Sequence, residues 1–355
     1  MPSTINRRTF IAGASSVAVA TTVSGCFNPD EQVVVRPDGV PVGPFDADST
    51  AEDVTAGLDL TGKTAFITGC NSGLGYETMR VLTARGATVI GAARNEEKAA
   101  TACASVEGDA IPVVCELSEL DSIRSCGKTV QAMDKPIDML ILNAGIMALP
   151  ELTQVNGLEM QFFVNHIGHF ALTSWLLGQV RQAPQGRVVS LSSSGHMFAP
   201  DEGIPFDNLS GESGEYSPWG AYGVSKLANG LFVLRLAQML KEEGSNATAN
   251  AVHPGIINTN LGRSFPWYTR LFASSLGWMF MKSIGEGAAT QCYVATAEAL
   301  GETSGYYFAD CNPLLPDPRM LDEAQANRLW TESEKITAGY LGNWGRVAPE
   351  AMVGV

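Results

Sequence analysis

From Lys63 onward the chain alternates between two hydrophobic rhythms. Short apolar runs recur at Thr64-Ala65-Phe66-Ile67-Thr68, Thr88-Val89-Ile90, Ile111-Pro112-Val113-Val114, Ile137 to Leu142 and Arg187-Val188-Val189-Ser190-Leu191. Longer stretches of helical character lie between them, the first from Leu74 to Arg85 and closed by Gly86. The short runs are apolar at nearly every position, which predicts parallel strands buried on both faces. Strand and helix alternating this often predict a single doubly wound α/β domain with helices on both faces of a parallel sheet, and no second domain.

Before this body the pattern changes. Arg7-Arg8 precede a weakly apolar run from Ile11 to Val23, diluted by Ser, Thr, Gly and Ala. Spanning a bilayer takes ~20 apolar residues, so the run suits a cleaved signal better than a membrane helix. The twin arginines point to the route that exports folded proteins, and Val23-Ser24-Gly25-Cys26 resembles a bacterial lipobox. Residues 1–26 are therefore expected to be a twin-arginine, lipoprotein-type signal, giving a periplasmic or membrane-anchored protein attached through a lipidated Cys26. A plain signal with an incidental Cys26, a transit peptide and a cytoplasmic location stay open. Residues 27–57 are acidic and rich in Pro and Gly, which predicts a flexible linker; the catalytic domain is expected over 58–341 and a tail over 342–355.

Charge narrows the partners. The net charge of −14 supplies no basic stripe for phosphates, which excludes nucleic acid. Cys70, Cys103, Cys115, Cys126, Cys292 and Cys311 form no C-x-x-C pair and no zinc spacing, so no metal site is expected and the thiols read as small buried hydrophobes.

The chemistry begins where the first strand ends, at Thr68-Gly69-Cys70-Asn71-Ser72-Gly73-Leu74-Gly75. Glycines between a strand and a helix let the backbone turn tightly and approach a pyrophosphate on the helix N-terminus, the hallmark of a Rossmann dinucleotide site. The second strand ends Gly91-Ala92-Ala93-Arg94. The acid that holds the ribose hydroxyls of NAD is missing there, and a guanidinium suited to a 2′-phosphate is present. The cofactor is thus expected to be NADP, with NAD as the alternative.

T-G-x-x-x-G-x-G resembles the short-chain dehydrogenase/reductase family, and further matches follow in order. They are Asn143-Ala144-Gly145, Asn165 within Val164-Asn165-His166-Ile167-Gly168-His169-Phe170, Ser192-Ser193, Tyr222-Gly223-Val224-Ser225-Lys226, and His253-Pro254-Gly255 with Thr259. The last resembles the family's P-G-x-x-x-T loop. The resemblance spans roughly 58–341 and is nearest the retinol dehydrogenase-like group. It implies cofactor contacts from Gly69, Asn71, Ser72, Gly73, Leu74, Gly75, Asn143, Ala144, Gly145, Tyr222, Lys226, Pro254, Gly255 and Thr259. Glu116-Leu117 stands where the family has Asp-Leu and implies a contact to the adenine edge. The resemblance also makes Asn165, Ser193, Tyr222 and Lys226 the catalytic set, with Ser192 as the fallback serine and Asn165 holding a water that links Lys226 to solvent.

Tyr222 and Lys226 are four residues apart and share a helix face. A phenol of pKa ~10 is a poor base at neutral pH. A nearby ammonium and a positive nicotinamide are expected to lower it, so that Tyr222 takes or gives the alcohol proton while Ser193 hydrogen-bonds the substrate oxygen. The four histidines, 166, 169, 196 and 253, read as structural. The segment from Phe265 to Met281 is expected to form an aromatic-rich lid, suiting a hydrophobic alcohol or carbonyl. An exported nucleotide-binding protein without turnover is the alternative reading, and a homodimer through the helices of Asn165 and Tyr222 is left open.

Overall fold

Successive side chains of a strand point to opposite faces, and here each face meets its own core. In β1 (Thr64–Thr68) Phe66 enters one core, while Ala65 and Ile67 enter the other. The same split holds in β4 (Met139–Leu142), where Leu140 and Leu142 oppose Met139 and Ile141. Burial on both sides is why these runs are apolar throughout. The computed structural model describes residues 35–255 and 282–345, and the elements named here belong to one unit that begins at Arg36.

The other strands of the central sheet are β2 (Thr88–Ala93), β3 (Ala110–Val114), β5 (Arg187–Leu191), β6 (Thr248–His253), β7 (Tyr307–Ala309) and β8 (Asn312–Leu314). They form one sheet in the order β8-β7-β6-β5-β4-β1-β2-β3. Every neighbouring pair is parallel except the closing β7–β8 hairpin. Helices α1 (Ala51–Thr55), α2 (Gly73–Ala84), α3 (Glu96–Ala104) and α7 (Ile284–Thr296) cover one face. Helices α4 (Leu120–Gln131), α5 (Gly168–Gln182), α6 (Pro218–Glu242) and α8 (Glu323–Ile336) cover the other. The chain order reverses between β1 and β4, so the loops after these two strands part and open a crevice at their carboxyl ends, where open α/β sheets bind ligands.

β2 itself ends at Ala93, with Gly91 and Ala92 pairing with Ile67 and Thr68 and Ala93 with Val114. Two boundaries, those of the linker and the tail, differ from the sequence expectation. The stretch expected to be a flexible linker up to residue 57 is docked from Phe45. The Phe45 ring meets Tyr293 edge-on at 5.5 Å, and Asn312 Nδ2 donates to the Phe45 carbonyl at 2.7 Å. Thr50 and Asp53 cap α1 reciprocally, Ala51 and Val54 are buried, and Glu52 pairs with Arg80 and Arg85. Acids that read as solvating charge are caps and ion-pair partners. The expected tail is likewise anchored at its start. Trp344 is buried against Phe170 and Trp330, and its main-chain amide donates to Ser174 O at 3.0 Å.

Candidate active site

The crevice is built from the glycine loop outward. Gly69 adopts φ +73, and its amide donates to Ala92 O at 2.9 Å, so the chain turns sharply off β1 against β2. Gly75 is required by close approach: a Cβ there would lie 2.3 Å from Gly69 O and 2.5 Å from Asn143 Nδ2. Ser72 occupies the N-cap of α2 but makes no side-chain bond to the first turn. The open amides and the positive end of the helix dipole therefore face the crevice, and the bare backbone at Gly69 and Gly75 leaves room for a pyrophosphate. The residues present fit a dinucleotide, with Asn71, Ser72, Gly73 and Leu74 forming the turn beneath it.

Asn143, Ala144 and Gly145 leave β4 directly opposite. Thr68 Oγ1 accepts from the amides of Asn143 (2.9 Å) and Ala144 (3.0 Å), and Asn143 Nδ2 donates to Thr68 O at 2.8 Å. Gln291 on α7 reaches the same Asn143 side chain at 3.3 Å. Arg94 is exposed just past β2 and enters no ion pair among the described residues. Glu116 is turned onto its own loop, accepting from Ser118 N at 3.0 Å and Ser118 Oγ at 2.8 Å, and Leu117 is buried. Pro254 and Gly255 follow β6, with Gly255 at φ +90. Thr259 and the expected lid segment 265–281 lie outside the described residues.

Four polar side chains converge beside this cradle. Tyr222 and Lys226 stand one turn apart on α6, both buried, with Lys226 Nζ 5.7 Å from the Tyr222 ring centroid. Lys226 Nζ donates to Leu191 O at 2.9 Å. Ser193 begins the turn after β5, where its Oγ accepts from Gly195 N at 3.1 Å beside the Tyr222 phenol. Ser192, the fallback, points elsewhere: its hydroxyl donates to Lys226 O at 2.8 Å. Asn165 lies fully buried in a π-helical turn, Phe163–Ile167, leading into α5; such turns recur at functional sites. Its Nδ2 donates to Ile146 O and Ser225 Oγ, each at 2.9 Å, and its Oδ1 accepts from Ile146 N at 2.8 Å. A Cβ on Gly145 would lie 3.2 Å from Asn165 Oδ1 and 3.5 Å from Lys226 Nζ, so both groups border one small space.

Burial sets the electrostatics. Loss of solvent pulls the Lys226 ammonium down from 10.5 to about 8. Tyr222 departs from the expectation of a lowered phenol. Burial raises it, and the Ser193 hydrogen bond offsets only part of that rise. The chain's own groups thus keep Tyr222 protonated at neutral pH.

Several positioning residues escaped the sequence reading. Arg319 forks onto Asp317 and sends Nη1 to Ala199 O and Pro200 O, both at 2.7 Å, fixing the loop after Ser193. Gly195 lets the Tyr222 ring lie flat on that turn, since a Cβ would fall 2.6 Å from Tyr222 Cε1. Thr68 and His169 tie the two cofactor loops together. None of these carries a local signal, because their partners are distant in sequence. The six cysteines other than Cys26 are buried free thiols.

Residues 63–204 match the short chain dehydrogenase family. The chloroplastic short-chain dehydrogenase TIC 32 A of Brassica napus is 42% identical over 299 residues, covering 81% of this chain and 92% of the relative. Retinol dehydrogenase 13 of Homo sapiens is 37% identical over 286 residues, covering 78% of this chain and 85% of the relative. Among solved structures, an uncharacterized protein from Mycobacterium paratuberculosis matches with a TM-score of 0.66 at 34% identity, covering 81% of this chain and 97% of that one. With the fold, the motif order and this similarity agreeing, the chain belongs to the short-chain dehydrogenase/reductase family, on its retinol dehydrogenase-like side, and is an oxidoreductase that interconverts CH–OH and C=O groups with NAD(P).

Proposed function

We propose that the enzyme is NADP-dependent and interconverts a hydrophobic alcohol and its carbonyl, with Ser193, Tyr222, Lys226 and Asn165 as the working set. The observation that carries this reading is the convergence of these four side chains at the mouth of the glycine-loop cradle. NADP would be held by the loop from Gly69 to Gly75, by Asn143, Ala144 and Gly145, and by Arg94, whose uncommitted guanidinium suits a 2′-phosphate. When bound, the nicotinamide supplies or accepts the hydride.

The chain's residues manage the oxygen and its proton. Ser193 donates a hydrogen bond to the substrate oxygen and stabilises negative charge as it develops there. Tyr222, protonated at neutral pH, gives its proton to that oxygen in reduction and takes it back in oxidation. Lys226, balanced near pH 8, stabilises the phenolate left behind and returns the proton. Both Asn165 Nδ2 hydrogens are committed, so the second lone pair of Oδ1 is what remains for a water bordering Lys226.

The substrate class rests on the surface leading to Tyr222. Trp219 lies edge-on to the Tyr222 ring at 6.2 Å, and Phe198 lies 5.7 Å from Trp219. Met197, Phe198 and Trp219 are all exposed, giving an apolar approach to the reacting oxygen. The Arg7-Arg8 pair and the lipobox-like Cys26 support export and a lipid anchor on the same protein; mass spectrometry of the mature chain tests this, with an unprocessed N-terminus overturning it.

The deciding experiment is turnover of apolar aldehydes with NADPH and with NADH, by the full chain and by Tyr222→Phe. NADPH-linked turnover that falls at least ~100-fold in the variant is expected. Nucleotide binding without turnover in either protein would favour the binding-protein alternative.

A further inference from the structure

His169 touches neither Ser193 nor Tyr222, yet its ring links the turn that carries Asn165 to the end of β1, where the glycine loop starts. Its Nδ1 lies 2.9 Å from the main-chain oxygen of Asn165, and its Nε2 lies 2.9 Å from Thr68 Oγ1. A carbonyl only accepts, so Nδ1 carries the hydrogen. Burial keeps the imidazole neutral, with its pKa pulled down to about 4, so Nε2 is left as an acceptor. The Thr68 hydroxyl then donates to Nε2 and uses its two lone pairs for the amides of Asn143 and Ala144. One donor and two acceptor sites are thereby all filled, in a site where His169, Thr68 and Asn165 are each at most 2% exposed.

The bridge spans three parts of the chain. Thr68 ends β1, where the glycine loop starts. Asn143 and Ala144 open the loop after β4. Asn165 sits in the π-helical turn, where the Gly168 amide reaches back five residues to Phe163 O instead of four. A π turn breaks the regular ladder of an α-helix and leaves its main chain less determined by local bonds. The His169 Nδ1 bond fixes the Asn165 carbonyl from outside that ladder.

We propose that His169 is a positioning residue for the reaction. It holds the Asn165 turn in register with the floor of the nucleotide cradle, and so sets the distance between Asn165 and Lys226. The proposal rests on the catalytic reading of Asn165 and Lys226 given above. A residue that only filled the core would need volume, not a donor on one ring edge and an acceptor on the other.

Three substitutions in the full-length protein separate these roles. His169→Asn keeps a donor where Nδ1 stands and can still bind the Asn165 carbonyl. His169→Gln reaches towards Thr68 and gives up the Asn165 bond. His169→Phe keeps ring volume and loses both. The readouts are kcat, the dissociation constant for NADPH measured by fluorescence, and Tm. Small displacements of reacting groups cost up to ~100-fold in rate, so His169→Phe is expected to lower kcat roughly 10- to 100-fold. His169→Asn should retain kcat within about threefold and His169→Gln should not, whatever their Tm values. In an Asn165→Ala background His169→Phe should lower kcat no further, because the residue it positions is gone. Equal kcat losses in the Asn and Gln variants, or kcat effects that add fully across the Asn165→Ala pair, would overturn the proposal. Where His169→Phe does not fold, the comparison of Asn with Gln decides alone. Tyr222→Phe, run alongside, separates the two readings. If it stays active the catalytic set itself is wrong; if it is dead while every His169 variant is fully active, only the bridge is.

Discussion

Replacing Lys226 by Met should stabilise the protein at neutral pH while removing its activity. The Lys226 ammonium is buried and held at about 8, against 10.5 for the exposed group, and desolvation is the cause. At ~1.4 kcal/mol per pKa unit, carrying this charge inside costs the folded state about 3 kcal/mol. Met matches the unbranched stem and brings no charge. The swap orphans no acceptor either, since Leu191 O also receives Asn229 Nδ2 at 2.9 Å. The pH dependence gives the sharper test. Because the folded pKa lies below the unfolded one, the unfolded chain binds more protons between pH 8 and 10.5, and the parent gains stability as pH rises through that window. Below pH 8 both states are protonated and the penalty is complete; above 10.5 both are neutral and it is gone. Urea unfolding of parent and variant at pH 7, 8, 9, 10 and 10.5 reads this directly. The variant should lead by about 3 kcal/mol at pH 7, and the lead should shrink to near zero by pH 10.5. A difference that does not change with pH, or a variant less stable than the parent at pH 7, would refute the desolvation account.

Other perturbations probe the cradle and its approach. Gly75→Ala forces a Cβ to within 2.3 Å of Gly69 O, so the loop must move; isothermal titration should show NADPH binding weakened at least ~10-fold, with stability lowered by ~1–3 kcal/mol. Arg94→Ala removes a charged hydrogen-bond donor of ~1.5–3 kcal/mol, which should raise KM for NADPH roughly 10- to 100-fold and leave KM for NADH within about twofold. Trp219→Ala strips an apolar wall beside Tyr222; kcat/KM should fall about 10-fold or more for long apolar aldehydes and hardly at all for acetaldehyde, given the ~1.5–3 kcal/mol that burying a large side chain provides.

What the sequence disclosed depended on whether a signal is local. The glycine loop reads directly because Gly69, Gly73 and Gly75 meet their constraint within one strand–helix turn, and Tyr222 with Lys226 because a helix face joins them. β1, β4 and β5 read as strands because both of their faces are buried. β6 does not, since Thr248-Ala249-Asn250-Ala251-Val252 carries little β-branched bulk and becomes a strand through its ladder with β5. The β7–β8 hairpin hid for a related reason. Its turn places Asp310 and Cys311 at φ +50 and +59, positions where the usual signal is Asn-Gly or Asp-Gly.

The candidate site divides along the same line. Ser193, Tyr222, Lys226 and Asn165 are named from motifs in a family order, because each falls within a short local pattern. Ser193 is preferred to Ser192 by the resemblance alone, and the hydrogen bond that occupies Ser192 reaches across 34 positions to Lys226 O. The supports are plainer still in type: a threonine ending a strand, a histidine four residues after Asn165, an arginine after Asp-Pro. Thr68 and His169 are 101 residues apart, and Arg319 lies about 120 from the loop it clamps. Each has an ordinary reading in sequence, as strand former, core filler or surface charge, and acquires its task only when the sheet brings the carboxyl ends of β1, β4 and β5 to one edge. The proposed reacting groups are therefore legible from residue type at a few positions, whereas the contacts that hold them in place are set by topology.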